Sequence, residues 1–181
     1  MKKILTFYML MLGLVVQASP TDYNVRDFGA KGDGKTLDHQ AINAAIDTCV
    51  AHGGGRVVLP AGTYLCGSIR LKSYVDLHLA SGAKIIAAPA SMKAYDEAEE
   101  WVGPAYQDGG HTYFKNSLIY AIGQECVSIT GRGMIDGLGL TKKDTEKAGV
   151  VNGGNIGTGD KAIALKLCRN ILIRDVTIYR G

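Results

Sequence analysis

With 181 residues the chain is long enough for one domain with a core of its own. Its 24 glycines suit many short strands and tight turns and weigh against a helix bundle, where glycine costs stability. The balance of 20 basic against 17 acidic residues offers no concentrated positive charge to a nucleic acid.

Residues 1–18 read as a secretory signal peptide. Lys2 and Lys3 precede an apolar run of 13 residues, Ile4 to Val16, and Val16-Gln17-Ala18 supplies a small-residue cleavage signal. The run is short for a membrane span, which takes ~20 residues. Without this leader 18 basic residues face 17 acids, a net charge near +1, and residues 19–181 are expected to act in a secreted or periplasmic setting, off the membrane.

The next stretch, YNVRDFGAKGDGKTLDHQAIN (23–43), runs from a strand-like segment through glycines into a helical pattern. Gly29 to Thr36 satisfies the phosphate-loop string G-x-x-x-x-G-K-[ST]. The preceding strand is polar at alternate positions, and no apolar run ending in aspartate follows to hold a metal, so nucleotide binding is not expected. A lone aspartate between glycines is also too few oxygens for calcium. Apolar residues at Ala41, Ile42, Ala45, Ile46, Cys49 and Val50 predict a helix, capped by Thr36 or Asp38 and ended by Gly53-Gly54-Gly55.

Beyond Gly55 the period changes to two. Short strands are predicted around Val57, Tyr64, Ile69, Val75 to Leu79 and Ile85, separated by glycine turns. A loose repeat of strand, polar turn and second strand recurs at 74–87, 126–137 and 170–181. Two insertions interrupt it, residues 88–115 with the acidic YDEAEEW and residues 138–160. Such a pattern fits a parallel β-helix whose insertions wall a binding groove, and a β-sandwich remains open on periodicity alone.

Tyr95, Trp101, Tyr106, His111 and Tyr113 in the first insertion could stack on sugars or tether the loop to the body. Glu97, Glu99 and Glu100 read as a solvated loop face, and Asp144 and Asp160 in the second insertion acquire no role. Cys49, Cys66, Cys126 and Cys168 lie at least 17 positions apart, which is not metal-ligand spacing; they read as buried free thiols, with their disulfide state open.

The opening stretch, followed by GGGRVVLPAGTYLCGSIRLKSYVDLHLASGAKI and GRGMIDGLG, resembles the N-terminal part of family 28 glycoside hydrolases, the polygalacturonase and rhamnogalacturonase group. The resemblance covers roughly Tyr23 to Gly181 outside the insertions. It implies an all-β fold, a right-handed parallel β-helix (solenoid) with an N-terminal capping helix, truncated here and continuing beyond the chain. It further implies an inverting hydrolase of pectin-type polysaccharide, a galacturonan first of all, monomeric when full length and needing no metal or organic cofactor. Inversion uses two carboxyls ~6.5–9.5 Å apart, one as acid and one as base.

The family's Asn-Thr-Asp, Asp-Asp, Gly-His-Gly and Arg-Ile-Lys signatures are absent, so no catalytic, cofactor-binding or metal residue is assigned. Gly110-His111-Thr112 and Arg70-Leu71-Lys72 are partial matches in the wrong order and are read as decoys. Asp136 is read as a turn aspartate bonded to local backbone N–H groups. The expectation is therefore an N-terminal fragment, inactive alone. The rival is a non-catalytic polysaccharide-binding or tailspike-like module, and a calcium-dependent lyase is a third possibility.

Overall fold

The computed structural model of the protein describes residues 22–99, 113–138, 140 and 161–180. The predicted leader lies outside them.

Among the described residues thirteen short strands form three sheets. Sheet A holds β1 (Asp22–Asn24), β3 (Gly55–Leu59), β6 (Val75–Leu79), β9 (Glu125–Gly131) and β12 (Arg169–Ile173). Sheet B holds β2 (Asp33–Leu37), β4 (Gly62–Cys66), β7 (Ala83–Ala87), β10 (Met134–Asp136) and β13 (Thr177–Tyr179). Sheet C holds β5 (Ile69–Arg70), β8 (Ile119–Ile122) and β11 (Ile163–Lys166). The chain visits A, B and C in turn, and each strand pairs in parallel with its counterpart one coil away. A β-sandwich needs antiparallel neighbours; the parallel ladders decide for the β-helix.

Alternation sends one residue in two to the interior, and parallel register stacks like on like. Val57, Leu77 and Ile129 form one inner row, Tyr64, Ile85 and Ile135 a second, and Ile69 and Ile119 a third. All these side chains are buried, each burial worth roughly 1.5–3 kcal/mol for an aliphatic or aromatic group. The inner side chains of β12 and β13 are less covered, with Ile173 and Ile178 exposed at 40% and 48%.

The predicted helix is α1 (His39–Ala51). Ile42, Ala45, Ile46 and Cys49 form its buried stripe and pack on β1, β3, β4 and β5. Its N-cap is Asp38, but the side chain makes no capping bond. The carboxylate instead accepts from the amides of Lys31 and Gly32 at 2.6 and 2.9 Å, which ties the preceding loop down and corrects the capping role expected of Asp38 or Thr36. The helix ends at His52, just before the glycines expected to end it, and Gly53 and Gly54 follow with positive φ.

The turn that leads into sheet A repeats a left-handed residue coil after coil. Gly54, Tyr74, Cys126 and Asn170 occupy equivalent positions with φ of 99°, 64°, 54° and 53°. Glycine is needed in the first of these, because a Cβ on Gly54 would stand 2.7 Å from that of Tyr74.

Both long insertions leave from one corner, between sheets B and C. In the first complete coil that corner is only Gly67 and Ser68, between β4 and β5. In the next two coils it expands to residues 88–118 and 137–162.

Candidate functional site

Among the described residues the inward-facing strand side chains are mainly apolar, and the charged groups lie on the three outer faces. Each carries an aspartate that bridges neighbouring segments.

On sheet C, adjacent strands place Arg70 and Tyr120 side by side pointing outward. Asp96, from the start of the first insertion, lies over both. Arg70 donates from Nε and Nη2 to the two carboxylate oxygens at 2.7 and 2.6 Å, and the Tyr120 hydroxyl donates to Oδ2 at 2.8 Å. Burial alone would push the Asp96 carboxyl up, but these bonds outweigh it and hold it below its ordinary value. The same burial, helped by the bond to Asp96, pushes the Tyr120 phenol up to about 12.

Ser68 explains why Asp96 sits there. Its hydroxyl accepts from the Asp96 amide at 3.0 Å, and lies 2.8 Å from the Ser117 carbonyl as donor, joining both ends of the insertion to one corner. Gly67 permits the approach, because a Cβ there would run into the Ala94 carbonyl oxygen. Asn43 of α1 completes the joint: its amide donates to Ser68 O at 2.9 Å and its carbonyl accepts from Arg70 N at 2.8 Å.

Glu99 covers the next part of this face. It accepts from the amides of Phe114 and Lys115 at 2.9 and 3.0 Å and lies 3.5 Å from Lys166 Nζ. Burial raises its carboxyl, and the backbone bonds more than reverse that. Glu99 is thus a half-buried loop anchor rather than the solvated acid expected of it. Lys161 and Lys166 lie 5.8 and 5.2 Å from the Phe114 ring.

On sheet B, Asp136 ends β10 with its side chain wholly buried. Arg180 donates two bonds, Nε to Oδ1 at 2.9 Å and Nη2 to Oδ2 at 2.6 Å, and Lys84 Nζ stands 2.9 Å from Oδ2. The Arg180 bonds lead in lowering its pKa to about 2. The expected turn bond exists, from Leu138 N at 3.1 Å, but the cation clamp across three coils is the larger part of its role.

On sheet A the outer face is open. Asp76 of β6 accepts from Arg56 Nε of β3 at 3.0 Å and from the Thr130 hydroxyl of β9 at 2.8 Å. His78 Nδ1 lies 2.9 Å from the same hydroxyl oxygen. Together with the turns that follow β6, β9 and β12 these strands enclose an open groove of about 530 Å³.

The residues singled out in the sequence are dispersed. Tyr95 is buried and donates to Ala88 O at 2.7 Å, a tether rather than a sugar platform. Tyr113 is half-buried and Glu97 exposed. Arg70 and Lys72 of the partial Arg-Ile-Lys match are engaged by Asp96 and by Asp47, the latter at 2.7 Å. Trp101, Tyr106, Glu100, Gly110, His111, Asp144 and Asp160 lie outside the described residues. Cys49 and Cys66 are buried free thiols, Cys168 is half-buried and Cys126 is exposed, which departs from the buried state expected. In the phosphate-loop string, the Lys31 and Gly32 amides are held by Asp38, and those of Lys35 and Thr36 by Asp33 at 2.9 and 2.8 Å, so carboxylates already occupy the donors an anion would need. Sequence reasoning missed Asp96, Ser68 and Asn43; the one available signal was an asparagine beside the apolar stripe of α1.

Among the described residues no group of three or more metal-ligating side chains is present. The carboxylates of Asp96, Glu99 and Asp136 are all held ionised, which makes them structural anchors and poor proton donors near neutral pH.

Residues 23–178 match the family described as rhamnogalacturonase A/epimerase, pectate lyase-like. An exo-poly-alpha-D-galacturonosidase of Dickeya chrysanthemi is 35% identical over 144 residues, covering 72% of this chain and 22% of that protein. Mannuronan C5-epimerase AlgE2 of Azotobacter vinelandii is 49% identical over 80 residues, 44% of this chain and 8% of that protein. The family 28 exopolygalacturonase structure of Yersinia enterocolitica superposes with a TM-score of 0.66 at 28% identity, covering 89% of this chain and 35% of that one. The chain spans less than a quarter of the length of these curated relatives.

Proposed function

Since the chain belongs to the rhamnogalacturonase A/epimerase, pectate lyase-like family and is family 28 glycoside hydrolase-like in its fold and sequence, we propose that it is the N-terminal part of an exported enzyme that hydrolyses pectin-type polysaccharide with inversion. The observation that carries this reading is the 35% identity to an exo-poly-alpha-D-galacturonosidase over 144 residues. In this reading α1 caps the first coil, residues 1–18 direct export, and the monomeric full-length product works in a secreted or periplasmic setting. Later coils supply the acid and base, and this chain alone is inactive.

The role of the 181 residues is then to found the solenoid and to shape one end of the substrate face on sheet C. The insertions leave at its edge, and the Ser68 joint fixes the first one against it. Galacturonan is the proposed substrate, held by polar contacts and not by a cofactor.

A second reading, a non-catalytic polysaccharide-binding module, draws support from the ion-paired state of the bridging carboxylates on sheets B and C. One experiment separates the two. The native secreted product is sized by immunoblot with an antibody against residues 23–181 and assayed for reducing-sugar release from polygalacturonate. A product well above 19.2 kDa that releases reducing sugar supports the hydrolase. A product at or slightly below 19.2 kDa without release overturns it in favour of the binding module.

A further inference from the structure

The groove on sheet A has no part in the reading above and lies away from the corner between sheets B and C where the insertions leave. It is lined by three arginines and two aspartates. Arg56 is engaged by Asp76 at 3.0 Å and Arg174 by Asp175 at 3.2 Å. Arg132, exposed on the turn after β9, has no side-chain partner among the described residues and supplies the surplus positive charge. Among the described residues no tyrosine, tryptophan or phenylalanine lines the groove, so a ligand would be held chiefly by charge and hydrogen bonds.

The hydrogen-bond network fixes what the groove offers. The Asp76 carboxylate only accepts, so the Thr130 proton points to it. The Thr130 oxygen must then accept from His78, which places a proton on Nδ1. In the neutral ring Nε2 is left as an acceptor for a hydroxyl. Ser81 and Ser128 add hydroxyls that donate or accept. Strands ~4.8 Å apart place these different groups on neighbouring coils, so a ligand lying across the coils meets them in succession.

We propose that this groove is a second, non-catalytic binding site for an acidic polysaccharide, in which Arg132 takes the carboxylate of a uronate unit and His78, Ser81 and Ser128 take its ring hydroxyls. The inference rests on the galacturonan reading for the identity of the uronate. A planar guanidinium matches a carboxylate in charge and geometry. Binding through one exposed charge pair is weak and salt-sensitive, which suits a site that holds a polymer near the enzyme without trapping it.

The test is an amide and side-chain NMR titration of the full chain with a short oligogalacturonate. Saturable shifts are expected at His78, Ser128, Thr130 and Arg132. They should disappear in about 1 M NaCl, where the screening length falls to ~3 Å. The variant Arg132→Gln should bind roughly tenfold more weakly with unchanged spectral dispersion, and Arg132→Lys should recover part of the loss. A neutral galacto-oligosaccharide should leave the groove unperturbed. Equal shifts with the neutral sugar overturn the carboxylate role of Arg132. Shifts confined to Arg70, Tyr120 and Lys166 overturn the groove but leave the galacturonan reading standing. Absence of any shift also overturns the groove, and the galacturonan reading is then judged separately by reducing-sugar release from the native product.

Discussion

The outer faces of sheets C and A carry the same motif with opposite outcomes. Each has an arginine bonded to an aspartate, Arg70 with Asp96 and Arg56 with Asp76, and the exposures nearly coincide: 52% and 23% in the first pair, 49% and 21% in the second. The difference lies in where the aspartate comes from. Asp76 belongs to the strand next to Arg56, so the pair is a rung within the sheet and the face above it stays open. Asp96 arrives from an insertion 26 positions away, is gripped by two bonds from Arg70 and one from Tyr120, and brings its loop down as a cover. Regular coils alone leave a groove; an insertion returning to the coil body fills one.

Four substitutions test that contrast, in order of expected effect. The largest belongs to sheet B, where the bridging carboxylate is fully buried. Asp136→Asn strands Arg180 and Lys84 and should cost about 3 kcal/mol in urea unfolding. The pH dependence follows from its lowered pKa. Its contribution is complete above the ordinary value of 3.8 and is lost as pH falls towards about 2, so acid unfolding of the wild type should steepen in that window and that of Asp136→Asn should not.

Next, Gly67→Ala forces the Ala94 backbone away from the corner and should cost about 2 kcal/mol. Hydrogen exchange should quicken at the Asp96 amide and stay unchanged along β6. Asp96→Asn weakens the grip on Arg70 and Tyr120 directly, and a loss of about 1–2 kcal/mol is expected, with the Tyr120 phenol titrating nearer its ordinary range by absorbance. The smallest effect is on sheet A. Asp76→Asn should cost under about 1 kcal/mol because the rung is solvent-screened. A loss as large as that of Asp96→Asn would remove the distinction between the two faces.

Much of the fold was legible in the sequence. Period-two runs marked β3, β4, β6 and β7, and the apolar stripe with its trailing glycines marked α1. The quoted motifs resembled one family, and the family match bears that out. Less was legible at the sites, because hydrogen-bond partners there are chosen across coils. Asp38 looked like a helix cap and Glu99 like a solvated acid, since nothing local announces that Lys31, Gly32, Phe114 and Lys115 will present their amides to them.

The sequence by itself determined which side chains face inward, because alternation along a strand is local and each apolar residue needs burial wherever its strand goes. It also determined where the coils could be interrupted, since the insertions break the repeat visibly. Only the tertiary structure decided which coil neighbours which and in what register, and so which charges meet. Parallel pairing brings Lys84 and Arg180 to Asp136 across 52 and 44 positions of chain, and Asp76 to Thr130 across 54. It also imposes left-handed backbone on Tyr74, Cys126 and Asn170, residues with no shared chemistry, because the corner they occupy recurs in every coil.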